Sequence, residues 1–79
     1  MMRKIEAYVE ERINPFLKTH QGLLEVVDLD NDILIIKLNV EYDKEGKIKQ
    51  TLLTSIRNAL QEKFPQLLKI VEVSSLKFT

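Results

Sequence analysis

Three aspartates alternate as Asp28, Asp30 and Asp32 in the segment DLDND. Carboxylates at that spacing open an EF-hand calcium loop, which also needs glycine at its sixth position and a bidentate glutamate at its twelfth. Those positions are Ile33 and Asn39 here, so the segment reads as turn chemistry and not as a calcium site. Farther on, EYDKEG offers the oxygen donors Tyr42, Asp43 and Glu45. They suit a hard cation but lack the spacing of a metal loop, so a solvated loop is expected. His20 is the one histidine, and at a helix-terminal turn it reads as a surface residue. Lys44, Lys47 and Lys49 form a short basic stripe, a solubility feature or a contact for an acidic partner. The chain has no cysteine, which removes thiolate nucleophiles, thiolate metal sites and disulfides. No paired carboxylates, Ser/His pair or glycine-rich phosphate loop occurs, so no enzyme, no catalytic residue, no metal and no cofactor is expected.

The elements that would position these groups follow from periodicity. Ile5, Tyr8, Val9, Ile13, Phe16 and Leu17, with the stem of Arg12, lie on one face of a helix near residues 3–19. Pro15 falls inside that helix and disfavours helical geometry at Asn14, so a kink or restart is expected there, with Asn14 as a cap. Gly22 closes the segment. LLEVVDLDNDILIIKLNV then splits at its Asp/Asn cluster into two strands near 23–28 and 33–40, a hairpin. In the second strand Leu34, Ile36, Leu38 and Val40 share one face, and Ile33, Ile35, Lys37 and Asn39 the other. Ile48, Leu52, Ile56, Ala59, Leu60 and Phe64 mark a helix near 47–64, stopped by Pro65. LLKIVEV is a third strand near 69–73. The order α-β-β-α-β makes an α+β fold: a two-layer sandwich, with a three-stranded sheet and two helices on one face.

Length and charge set further bounds. Seventy-nine residues support one domain, 1–79, with a modest core that gains from oligomerising. Twelve basic and twelve acidic residues cancel, which argues against the basic footprint of a nucleic-acid binder. No apolar run reaches membrane-spanning length and no signal-peptide pattern opens the chain, so a cytoplasmic protein without a membrane partner is expected.

The segments INPFLKTHQG, LLEVVDLDNDILIIKL, TLLTSIRNAL and EKFPQLLKIVEV, in that order, resemble the NifU-like (Nfu-type) C-terminal domain of iron–sulfur cluster scaffold proteins. Asn14 stands where the family has arginine. The resemblance implies a Cys-x-x-Cys loop before the second helix, two thiolates from each of two subunits holding a shared cluster. Aligned on Thr51 and Leu52, the two cysteine positions fall on Tyr42 and Glu45. A phenol and a carboxylate are poor ligands for a cluster that needs soft thiolates. The resemblance therefore implies the family fold without its cluster ligation.

The sheet face away from the helices is expected to carry Leu23, Val27, Ile33 and Ile35. Leu76 and Phe78 join them if the tail continues in register with Ile70, interspersed with Glu25, Lys37, Asn39 and Glu72. Apolar residues gathered on one face suggest a partner surface, unless the tail folds back over it. The expected function is a non-catalytic, protein-interaction or accessory module of iron–sulfur assembly. The alternatives are a structural or dimerisation module outside that pathway and, more weakly, a KH-like nucleic-acid binder, which would need a Gly-x-x-Gly loop that is absent.

Overall fold

A computed structural model describes residues 2–41 and 47–73. Helix α1 (Met2–Tyr8) runs through a π turn (Val9–Ile13) into α2 (Asn14–Lys18). Strands β1 (Gly22–Asp30) and β2 (Ile33–Val40) follow, then α3 (Lys47–Lys63) and β3 (Lys69–Glu72). The sheet order is β1-β2-β3. β1 pairs antiparallel with β2, and β3 pairs parallel with β2 after the α3 crossover. The expected α-β-β-α-β sandwich is the observed one.

The π turn has a cause in the sequence. Ile5, Val9, Ile13 and Leu17 are all buried, each four residues from the last. Four residues overshoot one α-helical turn by about 40°, so three such steps would rotate the stripe by about 120° away from the sheet. A wider turn takes up that drift. Its i→i−5 bond runs from the Asn14 N–H to the Val9 carbonyl, and Pro15, lacking an N–H, could not have continued the α-helical ladder. The expected break is thus a π turn. Asn14 is not a cap, since its own backbone is helical (φ −64°, ψ −37°).

Asn14 instead reaches the sheet edge. Its Oδ1 accepts the Leu24 N–H at 2.8 Å and its Nδ2 donates to the Leu24 carbonyl at 3.3 Å. β1 is an outer strand, so without Asn14 both backbone groups of Leu24 would face outward unpaired.

The hairpin turn is Asn31–Asp32, both with positive φ (51° and 63°). Two left-handed central residues define the tight hairpin turn whose twist matches the strands, and Asn and Asp tolerate that geometry. The ladder slips once, between Val26 and Asp28, leaving Val27 as a bulge residue. The bulge keeps Leu24, Val26 and Leu29 facing the helices, opposite Leu38, Ile36 and Leu34. It turns Asp28 and Asp30 to the open side.

Between helices and sheet lies one core. Leu34, Ile36 and Leu38 of β2 and Leu52, Ile56, Leu60 and Phe64 of α3 meet the N-terminal stripe there. Tyr8 packs edge-on against Phe64, ring centroids 5.8 Å apart. Ile70 of β3 is buried in the same core. That placement corrects the expected parity of the third strand: Ile70 and Glu72 face the helices, and Val71 faces outward. The premise for adding Leu76 and Phe78 to the open face therefore falls, and both residues lie outside the described ones.

Candidate functional site

Tyr42 and Glu45, the expected cluster-ligand positions, lie outside the described residues, as do Asp43, Lys44 and Gly46. The described residues on either side lie at one end of the sandwich. β2 ends at Val40, level with Gly22, and the Glu41 N–H donates to the Gln21 carbonyl at 3.2 Å. α3 starts at Lys47. The end of β2 and the start of α3 thus adjoin the turn between α2 and β1, which carries His20.

His20, Lys47, Ile48, Thr51 and Leu52 line a shallow cleft of about 390 Å³ at that end. Leu52 is its buried floor, and Ile48 is 45% exposed. The His20 ring meets Phe16 edge-on at 5.3 Å between centroids, which holds the imidazole against α2. Thr51 Oγ1 donates back to the Lys47 carbonyl at 3.0 Å, closing the first turn of α3. The cleft is therefore apolar inside, with an imidazole and an ammonium group at its rim. Sequence reading took His20 as a solitary surface residue and Lys47 as part of a solvated stripe. The joint position of α2 and α3 brings the two together, and no local pattern announces it.

Beneath the start of α3 lies a buried carboxylate. Glu72 is 1% exposed, although the sequence assigned it to the open face. Its Oε1 accepts the Leu38 N–H at 3.1 Å, and its Oε2 lies 3.6 Å from Lys49 Nζ. The register explains the first contact. Leu38 pairs with Leu24 on one side, whereas the β2–β3 register ends at Ile36 and Glu72. Leu38 thus has no backbone partner residue in β3 at its own level, and the carboxylate meets its N–H. A polar row crosses the sheet at this level: Asn14 on Leu24 at one edge, Glu72 on Leu38 at the other. A buried carboxylate is tolerated only with such partners. Lys49, expected as part of the basic stripe, is instead partly buried and paired.

The donor set decides what the site can hold. An iron–sulfur cluster needs thiolates, and the chain contains no cysteine. The imidazole of His20, the carboxylates and the phenols are the wrong ligands in kind and number. Among the described residues no three His, Asp or Glu side chains converge to hold a metal ion. The turn reading of DLDND is corrected in extent: β1 runs on through Asp28 to Asp30, and only Asn31 and Asp32 form the turn. No described helix is long and apolar enough to cross a membrane.

On the open side of the sheet Leu23 and Val27 are 47% and 50% exposed, while Ile33, Ile35 and Val71 are half-buried.

Comparison with known families matches the model of the NifU-like domain over residues 5–71. No curated protein sequence matches the chain.

Proposed function

Because the chain belongs to the NifU-like domain family, a family linked to iron–sulfur cluster assembly, we propose that it serves that pathway as a cysteine-free binding module. In this reading it docks on a protein that carries or receives a cluster and does not ligate the cluster itself. The observation that carries the proposal is the conjunction of a family match over residues 5–71 with a complete lack of cysteine. Iron–sulfur clusters are soft-ligand cargo, and no side chain here replaces two thiolates. The cleft beside the β2–α3 connection supports a docking role. It is a mostly apolar hollow whose rim bears His20 and Lys47, chemistry suited to an apolar side chain flanked by a carboxylate. The action is binding and not catalysis, in the cytoplasm.

A two-part experiment tests this. The purified protein is incubated anaerobically with ferrous iron and sulfide, and no protein-bound cluster absorbance is expected. It is then titrated into a cluster-loaded, cysteine-bearing NifU-like scaffold with an apo-ferredoxin as acceptor. Saturable binding to the scaffold, with a changed rate of cluster delivery, is expected. Absence of both binding and any rate change overturns the proposal.

A further inference from the structure

The open face of the sheet has charge sorted to its margins. β1 presents Glu25, Asp28 and Asp30 there, β2 presents Ile33, Ile35 and Lys37, and β3 presents Lys69 and Val71. The register sets them in rows. Asp30, Ile33 and Lys69 are level, and Asp28, Ile35 and Val71 form the next row. In these two rows acid occupies the β1 margin, the cation lies on the β3 margin, and the apolar residues lie between. Lys37 sits level with Glu25 of its own chain. Among the charged residues of these two rows, Asp28, Asp30 and Lys69 are all exposed.

We propose that this face binds a second copy of the same chain, sheet against sheet, about a two-fold axis running along β2. Such an axis exchanges the two margins. It sets Asp30 of one copy over Lys69 of the other, and the reverse contact follows by symmetry. Ile33 and Ile35 meet their own equivalents on the axis, and Val71 of one copy falls over Asp28 of the other. The two Lys37 side chains approach each other, each level with Glu25 of its own chain, a like-charge contact that further weakens the dimer. A partner of uniform charge fits this surface badly, because one margin would always repel it. The chain's zero net charge leaves no global repulsion between copies. The face is narrow, three strands wide, against the roughly 800 Å² per partner of a durable complex. The dimer is accordingly weak and concentration-dependent. This inference does not rest on the pathway proposed above, since it uses the opposite side of the sheet from the core and none of the cleft residues.

Charge reversal tests it. Sedimentation velocity over a concentration series is expected to show a monomer–dimer equilibrium for the full chain. Asp30→Lys and Lys69→Asp each place like charges at two symmetric contacts, and each is expected to raise the dissociation constant about tenfold. Mixing the two single variants restores both contacts, so a heterodimer of wild-type strength is expected. The double variant should dimerise with itself. Far-UV circular dichroism, unchanged in all variants, separates lost association from lost folding. A full chain that stays monomeric throughout overturns the proposal, leaving the face to residues 74–79 or to another protein. Single variants that associate as well as the parent, or a mixture that fails to recover, overturn it equally.

Discussion

Replacing Lys49 with methionine removes the cation from a carboxylate that stays buried. Glu72 is 1% exposed and Lys49 is 28% exposed, with Oε2 and Nζ 3.6 Å apart. At an effective dielectric constant near 20, that separation corresponds to about 4–5 kcal/mol of gross attraction. Most of it offsets the desolvation of the carboxylate, so the net worth of the pair is far smaller. The asymmetry is what matters. Lys49→Met takes the cation from a buried carboxylate that still accepts from the Leu38 N–H and should cost about 2 kcal/mol, below the roughly 3–5 kcal/mol of fully buried pairs because Lys49 is partly solvated. Glu72→Gln keeps an acceptor for Leu38 and removes the negative charge facing Lys49, whose ammonium is partly solvated, at about 1 kcal/mol or less. The double variant carries no uncompensated charge and should be more stable than Lys49→Met alone. Urea unfolding followed by far-UV circular dichroism measures all three, and unchanged m values confirm that only stability moved. In thermal melts Lys49→Met should lose roughly 8–16 °C. Equal costs for the two single changes, or strict additivity in the double, would refute the charge-pairing argument.

Three further outcomes are expected. Tyr42→Cys with Glu45→Cys supplies the family's thiolate pair, and anaerobic reconstitution should then give cluster absorbance together with a bridged dimer; cluster absorbance in the unmodified protein would contradict the donor-set argument. Asn14→Ala leaves the Leu24 N–H and carbonyl without their partner, so denaturant melts should show a loss of about 1–2 kcal/mol, and a neutral result would mean that water replaces the amide at no cost. Deletion of Val27 removes the bulge residue while leaving Leu24, Val26 and Leu29 facing the helices, so denaturant melts should show a loss of less than about 1 kcal/mol, and a larger loss would mean that the bulge itself stabilises the hairpin.

Much of the fold was legible because its signals are local and periodic. The β2 alternation of Leu34, Ile36 and Leu38 marked the buried face correctly, and the Asp/Asn cluster marked the turn, since only residues tolerant of positive φ fit there. The four-residue spacing of Ile5, Val9, Ile13 and Leu17 was visible, but its consequence, a π turn, depends on where the sheet lies. Glu72 was misplaced for a related reason. Alternation fixes which residues share a face, not which face is covered. KIVE offers Ile70 with Glu72 against Lys69 with Val71, and carboxylate burial depends on Leu38 and Lys49, distant in sequence. Asn14 was noticed for the wrong duty, because its partner Leu24 belongs to the next element. The cleft was invisible in sequence, since His20 and Lys47 meet only when α2 and α3 dock.

The distribution of the core explains how a family fold can stand without the family's ligands. The buried residues that hold helices to sheet, from Ile5 to Ile70, come from α1, the π turn, α2, the three strands, α3 and the segment after it. What defines the end of the sandwich is set by the flanks: the Glu41 N–H on the Gln21 carbonyl, the first turn of α3, and Glu72 paired with Lys49 below it. Among the described residues, the apolar burial that drives folding already ties every helix to the sheet. A chain that keeps this scaffold without cysteine cannot act by thiolate ligation, and the cleft at one end and the charged face of the sheet are the surfaces on which the two proposals above are tested.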